Sequence, residues 1–389
     1  MDTAAVARTE PTRAKHLEGM AAYQQEGMRL AQAIGNRGPA RFDAQGRLHP
    51  DILAAYWKHG YYIFEGVIDQ TEIEALRHDA GVMLERAPVG PGSKVDAHGR
   101  PALGADAARE LYTIIKPLSD PAGGTDVFNG RHPSKMAEPT PDSDAPPYVV
   151  LRMRGMCQYM PAGLRVYGHP KLLAIAASIN GEDFVPFNDV IFVKQPKVGG
   201  SIAWHQDGVT HWNSPEWNEG IHGFNYQVQI YPTTVGNALW VMPGTHKQGR
   251  VDIKRLVAES GSEQLRGAIP LICAPGDVTI VNRQTLHGSF ANSSPDLRIS
   301  ITFGFHRRKS VLGQHTALSV KEEGVHYDAQ RIDKRAAVVA VAINARHQYF
   351  PQEQPFVYQP FVGREDSVRF SDDTFNKVIR NYNLYDLAI

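Results

Sequence analysis

Gly199-Gly-Ser-Ile-Ala-Trp-His205-Gln-Asp207-Gly208 is the stretch on which the reading of this chain turns. On an extended backbone successive side chains alternate faces, so His205 and Asp207 point the same way. An imidazole nitrogen and a carboxylate oxygen can then converge on one ion, which supplies two ligands of three.

A lone His-x-Asp means little in a chain with 16 histidines. A second stretch changes that: in Pro275-Gly-Asp-Val-Thr-Ile-Val-Asn-Arg-Gln-Thr-Leu-His287-Gly-Ser289 a β-rich run ends on a histidine followed by glycine. The chain between His205 and His287 is long enough for several strands to return it to the same place. Two histidines and one carboxylate on one side of an ion leave three positions open, the arrangement suited to non-heme Fe(II) oxygenases.

The third stretch is Leu297-Arg-Ile-Ser-Ile-Thr-Phe303. Arg298, Ser300 and Thr302 share one face of this strand, and Leu297, Ile299, Ile301 and Phe303 the other. A polar face ordinarily meets water. Here a guanidinium with a hydroxyl two residues on would instead form a fork for a carboxylate held near the ion.

With Trp240-Val-Met-Pro-Gly-Thr-His246 between them, these motifs resemble the Fe(II)/2-oxoglutarate oxygenases of the phytanoyl-CoA dioxygenase superfamily. The likeness runs in order from about Tyr56 to Phe305. It implies a mostly β fold with flanking helices, built on a double-stranded β-helix, the jelly-roll core shared with cupins. It further implies that His205, Asp207 and His287 hold Fe(II), and that 2-oxoglutarate, with O2 as the other co-substrate, pairs with Arg298 and Ser300. By its position in the family pattern Tyr226 is a further candidate for co-substrate contact, with ordinary wall packing as the alternative. The implied reaction decarboxylates 2-oxoglutarate to succinate and CO2 while hydroxylating a small organic molecule. Desaturation, epoxidation and ring closure are variants of the same chemistry. Asp207 argues against the halogenase branch, where a small residue replaces the carboxylate.

Two other readings are open. Two histidines and a carboxylate also build hydrolytic zinc sites, but no second carboxylate is placed as general base. A non-redox metal-binding jelly roll, a cupin-like isomerase or binding module, shares the fold and leaves Arg298 unexplained.

Composition narrows the partners. Among 389 residues, 41 basic and 41 acidic side chains cancel, so no net field draws the chain to nucleic acid or an anionic membrane. The partner is sought among small molecules in a local pocket. The two cysteines, Cys157 and Cys273, exclude a disulfide framework and fit a reducing compartment. Without a secretory start or an apolar run long enough to span a bilayer, a cytoplasmic protein is expected.

One domain spanning 1–389 is expected: an N-terminal helical extension (1–49), a catalytic region (50–305) and a C-terminal extension (306–389). Residues 13–34 read as a helix ending at Gly35, which packs on the barrel or on another subunit. Pro50 to Lys58 reads as a second helix. Thr71-x-x-Glu74 reads as a capping box opening a third, with Ile73, Leu76, Ala80, Met83 and Leu84 as its apolar stripe. Pro170 opens a fourth. Residues 88–147 shift to Pro, Gly, Asp and Ser, a loop-rich insertion that either covers the site or is solvated. On Tyr148–Arg154, Arg152 and Arg154 share a face turned to water or to an acidic substrate group.

On Phe224–Tyr231, Tyr226, Val228 and Ile230 face one way and Asn225, Gln227 and Gln229 the other, and either set is free to line the barrel. The loop after Asp207 brings His211, Trp212 and Trp217 to the mouth of the site, where aromatic faces would hold the substrate. This loop leans toward a modest-sized, largely uncharged substrate; an acyl-CoA, the other candidate, would call for a basic groove. The C-terminal extension either wraps the barrel or makes a homo-oligomer contact.

Overall fold

The computed structural model describes residues 12–107, 109–208, 217, 219–317 and 324–384. Its core is two facing sheets. The major sheet contains β1 (Arg37–Pro39), β2 (Tyr61–Glu65), β3 (Tyr112–Ile115), β4 (Val149–Arg154), β5 (Val185–Lys194), β7 (Gly223–Gln229), β10 (Val278–Asn282) and β12 (Arg298–His306). The minor sheet contains β6 (Ile202–His205), β8 (Leu239–Val241), β9 (Ile269–Leu271) and β11 (His287–Ser289). Their orders are β1-β2-β10-β7-β12-β5-β4-β3 and β6-β11-β8-β9. Apart from β1 against β2, every pairing is antiparallel, as a jelly roll requires.

The two faces of the major sheet have opposite chemistry. Tyr226 and Val228 of β7, Ile280 of β10 and Ile301 and Phe303 of β12 are buried with Leu76, Leu172 and Val339 of the outer helices. The face turned toward the minor sheet carries Asn225 and Gln227 of β7 and Arg298 and Thr302 of β12, which line a cavity. Alternation with period two separates these sets, and the helices outside decide which set turns outward.

Helices Gln70–Glu85, Pro161–Tyr167, Pro170–Asn180 and Ala329–Tyr349 are among those that cover that apolar outer face. The last holds the apolar run Ala336–Ile343 and packs on β5 and on helix Pro161–Tyr167, so this part of the C-terminal extension lies against the barrel. Helix Gln70–Glu85 begins earlier than expected. Asp69, not Thr71, is its N-cap, its Oδ1 accepting from Glu72 N at 2.8 Å. The expected capping box is therefore wrong: Asp69 is extended and outside the helix, where a cap must sit, and Thr71 is already inside it.

Helix Arg13–Ile34 ends at Gly35 as expected (φ 59) and covers the minor sheet. Tyr23 stacks on Trp240 at 4.7 Å between ring centroids. A Cβ at Gly27 would lie 2.5 Å from the Trp240 ring. The glycine thus costs the helix about 1 kcal/mol relative to alanine and permits this close approach. No helix among the described residues is long and apolar enough to cross a membrane.

Candidate active site

The site is built first by strand register. His205, the last residue of β6, and His287, the first of β11, are direct partners across an antiparallel ladder. Their ring centroids are 4.1 Å apart. Asp207 follows two residues after β6, held by backbone bonds from its own N–H to Arg283 O at 2.8 Å and from Trp217 Nε1 to its carbonyl at 2.9 Å. Gln206 points the other way, donating to the carbonyls of Gly249 and Gln284 at 2.9 and 2.7 Å. Gly208, with φ 84, then turns the chain away in a conformation that suits glycine.

These placements bring one ligand atom each from His205, Asp207 and His287 within 4.8 Å of one another. His205 Nε2 lies 3.6 Å from Asp207 Oδ1, and His287 Nε2 lies 3.8 Å from Oδ2. Both rings are oriented by the same device: each Nδ1 bonds the carbonyl two residues upstream, Ala203 O and Thr285 O, at 2.8 Å. As donors, the Nδ1 atoms leave the Nε2 lone pairs directed at the shared point, the tautomer that metal ligation needs. Burial lowers the pKa of both rings, so they are neutral and each has a lone pair to offer a metal. Burial opposes ionisation of Asp207, but Arg283, His287 and Arg131 outweigh it and hold the carboxyl well below the usual carboxylate range. Two neutral imidazoles and one carboxylate fit a divalent ion with open positions.

Across the cavity, Arg298 opens β12 in the middle of the major sheet. Its Nη1 donates to Asn237 O at 2.9 Å, and its Nη2 to Gln227 Oε1 at 2.9 Å and Ser300 Oγ at 3.2 Å. Its Nε is buried without a hydrogen-bond partner. Burial pushes this guanidinium down to about 10. A desolvated cation with an unused donor fits an incoming carboxylate. Ser300 is fully buried behind Arg298 and is not on the cavity wall; its Oγ accepts from Arg298 Nη2, so the expected direct contact with 2-oxoglutarate is corrected to a contact with the guanidinium.

The other substrate and co-substrate expectations have different outcomes. Tyr226 donates its hydroxyl to Leu172 O at 2.8 Å and packs among Phe224, Phe303 and Phe305 on the outer face. It cannot reach a ligand in the cavity, and the expected co-substrate contact is wrong because the helix layer claims its face. Trp217 is 5% exposed and donates Nε1 to the Asp207 carbonyl instead of lining the cavity. His211 and Trp212 lie outside the described residues. His246, read as a structural turn residue, is buried with Nε2 3.0 Å from Trp57 O.

The residues not foreseen come mostly from the 88–147 insertion. Its turn Val127–Gly130 places Phe128 and Asn129 in the left-handed region, φ 55 and 56. That costs non-glycine residues on the order of 1 kcal/mol or more each. The turn delivers Arg131 and His132 to the metal-binding group. Arg131 Nη1 donates to Asp207 Oδ1 at 3.2 Å, and the His132 ring lies 4.4 Å from that of His205. Asn225 Nδ2 donates to Asp207 Oδ2 at 2.6 Å, so both carboxylate oxygens are engaged. The insertion therefore covers the site. Arg152 and Arg154 of β4 also line the cavity, both half-buried.

The sequence matches the phytanoyl-CoA dioxygenase (PhyH) family over residues 56–300, well over half of the chain. The chain belongs to the phytanoyl-CoA dioxygenase family. As a member it is an oxygenase-type enzyme, and all three metal-binding residues and Arg298 fall inside the matched region. Phytanoyl-CoA dioxygenase 1 of Oryza sativa subsp. japonica is 27% identical over 118 residues, spanning 28% of this chain and 40% of the rice protein. Phytanoyl-CoA dioxygenase of Arabidopsis thaliana is 25% identical over 266 residues, 65% of this chain and 87% of that protein. Among solved structures, iron-bound EctD from S. alaskensis shows 16% identity and a TM-score of 0.48, covering 75% of this chain and 87% of its own. The carbocyclase SnoK from nogalamycin biosynthesis also shows 16% identity and a TM-score of 0.48, covering 72% and 91%.

Proposed function

We propose that this family member is an Fe(II)- and 2-oxoglutarate-dependent oxygenase that hydroxylates a small organic molecule. One observation carries the reading: the His205–Asp207–His287 group and the under-satisfied Arg298 guanidinium face one cavity from opposite sheets. A non-redox jelly-roll protein would use the first and leave the second without a task.

His205 and His287 would hold the metal as neutral ligands, and Asp207 would offset one unit of its charge. When bound, iron with 2-oxoglutarate supplies an oxidant that takes hydrogen from carbon as the keto acid becomes succinate and CO2. Arg298 would pair with the distal carboxylate of 2-oxoglutarate through its free Nε–H, a planar contact that lysine reproduces poorly. Ser300 and Gln227 hold the guanidinium in place for that task. The walls between the two ends include Leu151, Val190, Phe192, Val193, Ile202 and Leu239, which exclude water from the reacting centre.

The cavity measures about 330 Å³. That is at the low end of the roughly 300–1,000 Å³ of ligand pockets, and the co-substrate takes a share. A compact substrate fits this space; a CoA thioester would leave most of itself outside. The test is succinate formation from 2-oxoglutarate by iron-loaded enzyme, compared between wild type and Arg298→Ala. Turnover in wild type and its loss in the variant support the reading. Equal turnover in both removes Arg298 from it.

A further inference from the structure

We infer that the substrate of this enzyme is an anion, and that Arg152 of β4 holds its carboxylate. The inference rests on the oxygenase reading for where reaction occurs, but the anion site stands on its own geometry. It also departs from the uncharged substrate to which the aromatic loop pointed.

The charged groups lining the cavity can be accounted for one by one. Arg298 is committed to the co-substrate end. Lys194, its partner across the β12–β5 ladder, donates Nζ to Gly200 O and Phe290 O at 2.6 and 2.5 Å. Arg131 pairs with Asp207. Arg154 Nη1 donates to Glu110 O at 3.0 Å. Among the acids, Asp120 accepts from the backbone N–H groups of Met136 and Gly123 at 2.8 and 3.0 Å. Asp189 accepts from Asn383 Nδ2 and from Cys157 N.

Arg152 remains. Its Nε donates to Thr113 Oγ1 at 2.8 Å, which fixes the plane of the guanidinium, and neither Nη has a hydrogen-bond partner among the described residues. No acidic side chain pairs with it there. The group is enclosed by protein yet open to the cavity. Burial, with Arg154, Arg131 and Arg109 nearby, pushes its pKa well below the usual arginine value. A desolvated cation among like charges is costly until an anion reaches it. A carboxylate meeting the two Nη groups supplies that partner in the bidentate geometry guanidinium favours.

The location suits the chemistry. The Arg152 and Arg131 guanidinium carbons lie 5.2 and 5.4 Å from the centre of the same Phe128 ring, and Arg131 touches Asp207. A short molecule anchored on Arg152 therefore lies across Phe128 with its far end beside the metal-binding group. The strained turn that presents Phe128 has its purpose in this wall. Because Arg298 sits on another strand, the two carboxylates have separate seats.

The test uses carboxylate–amide pairs of equal shape: acetate with acetamide, benzoate with benzamide, and phenylacetate with phenylacetamide. Each is titrated calorimetrically, without oxygen, into full-length protein loaded with Fe(II) and excess 2-oxoglutarate. In wild type at least one carboxylate binds roughly tenfold to a hundredfold more tightly than its amide, the worth of a charge-assisted hydrogen bond. Arg152→Gln removes that preference, and Arg152→Lys restores part of it, which separates a lost charge from a lost fold. If no carboxylate binds better than its amide, or the preference survives in Arg152→Gln, the inference is overturned. Binding of 2-oxoglutarate itself is read in the same titrations. A preference that depends on Arg152 without 2-oxoglutarate binding would keep the anion site and discard the oxygenase reading. The opposite pattern would keep the oxygenase reading and discard this one.

Discussion

His205 and His287 are cross-strand partners whose Nε2 atoms lie 3.6 and 3.8 Å from the two oxygens of Asp207. The ladder positions one ring against the other, and a backbone carbonyl fixes each tautomer. Ligand geometry here is a property of the sheet, so the metal-binding group should form before any metal arrives. His287→Ala is expected to weaken binding of Mn(II), used as an air-stable probe, by about a hundredfold or more. Loss of an outer-shell partner alone costs about 10–100-fold. Calorimetry on wild type and variant checks this, and undiminished affinity would remove His287 from the ligand set.

Arg131 and a bound cation serve the same carboxylate. Replacing Arg131 with methionine leaves Asp207 buried with less compensation, and the metal-free protein is expected to lose about 3 kcal/mol, the low end for breaking a buried pair. With saturating Mn(II), much of that loss should return. Urea unfolding with and without metal measures the gap. Equal losses in both states would show that Arg131 contributes packing and nothing to the charge of Asp207.

Tyr226 and Gln227 are neighbours on β7 with opposite duties, one bonding Leu172 O outside and the other Arg298 inside. Tyr226→Phe should lower stability by about 1 kcal/mol, the worth of one hydrogen bond, and leave 2-oxoglutarate affinity unchanged. Gln227→Leu should weaken 2-oxoglutarate because the Arg298 plane is no longer held. Paired melting and binding measurements separate the two, and a co-substrate defect in Tyr226→Phe would reverse the assignment.

Which parts of this site were legible in the sequence follows from the range of the contacts. His205-x-Asp207 and the Arg298 strand are local, and period-two alternation suffices to put their side chains on one face. Alternation also split β7 into Tyr226 and Asn225–Gln227 sets. It could not say which set turned inward, because that depends on helices more than 40 residues away, such as Pro170–Asn180. Arg131 and His132 were hidden for another reason. They arrive on a turn of an insertion without periodicity, and only the folded chain brings them to Asp207. Arg152 was visible on its strand, but the charges around it come from separate segments and form no basic run.

Asp189 gives a pH signature of its own. Burial raises its carboxyl to about 6, with the Asn383 amide and Cys157 N–H opposing. The ordinary value is 3.8, so between about pH 4 and 6 the folded state binds more protons than the unfolded one. Stability should therefore fall as pH rises through that window, by about 3 kcal/mol at roughly 1.4 kcal/mol per pKa unit. Asp189→Asn keeps an acceptor for Asn383 and should abolish this component. Denaturant unfolding at several pH values checks it, and identical slopes in the two proteins would contradict it.

The most direct measurement is an anaerobic titration of the metal-free enzyme with Fe(II) and then 2-oxoglutarate, followed by visible absorption. A keto acid chelated to ferrous iron gives a weak charge-transfer band. The band is expected in wild type and should be lost in Asp207→Ala, whose metal-binding group lacks its only carboxylate. If wild type binds iron but no band forms on adding 2-oxoglutarate, the keto acid does not reach the metal. The central claim, that His205, Asp207 and His287 serve a 2-oxoglutarate oxygenase, would then be contradicted.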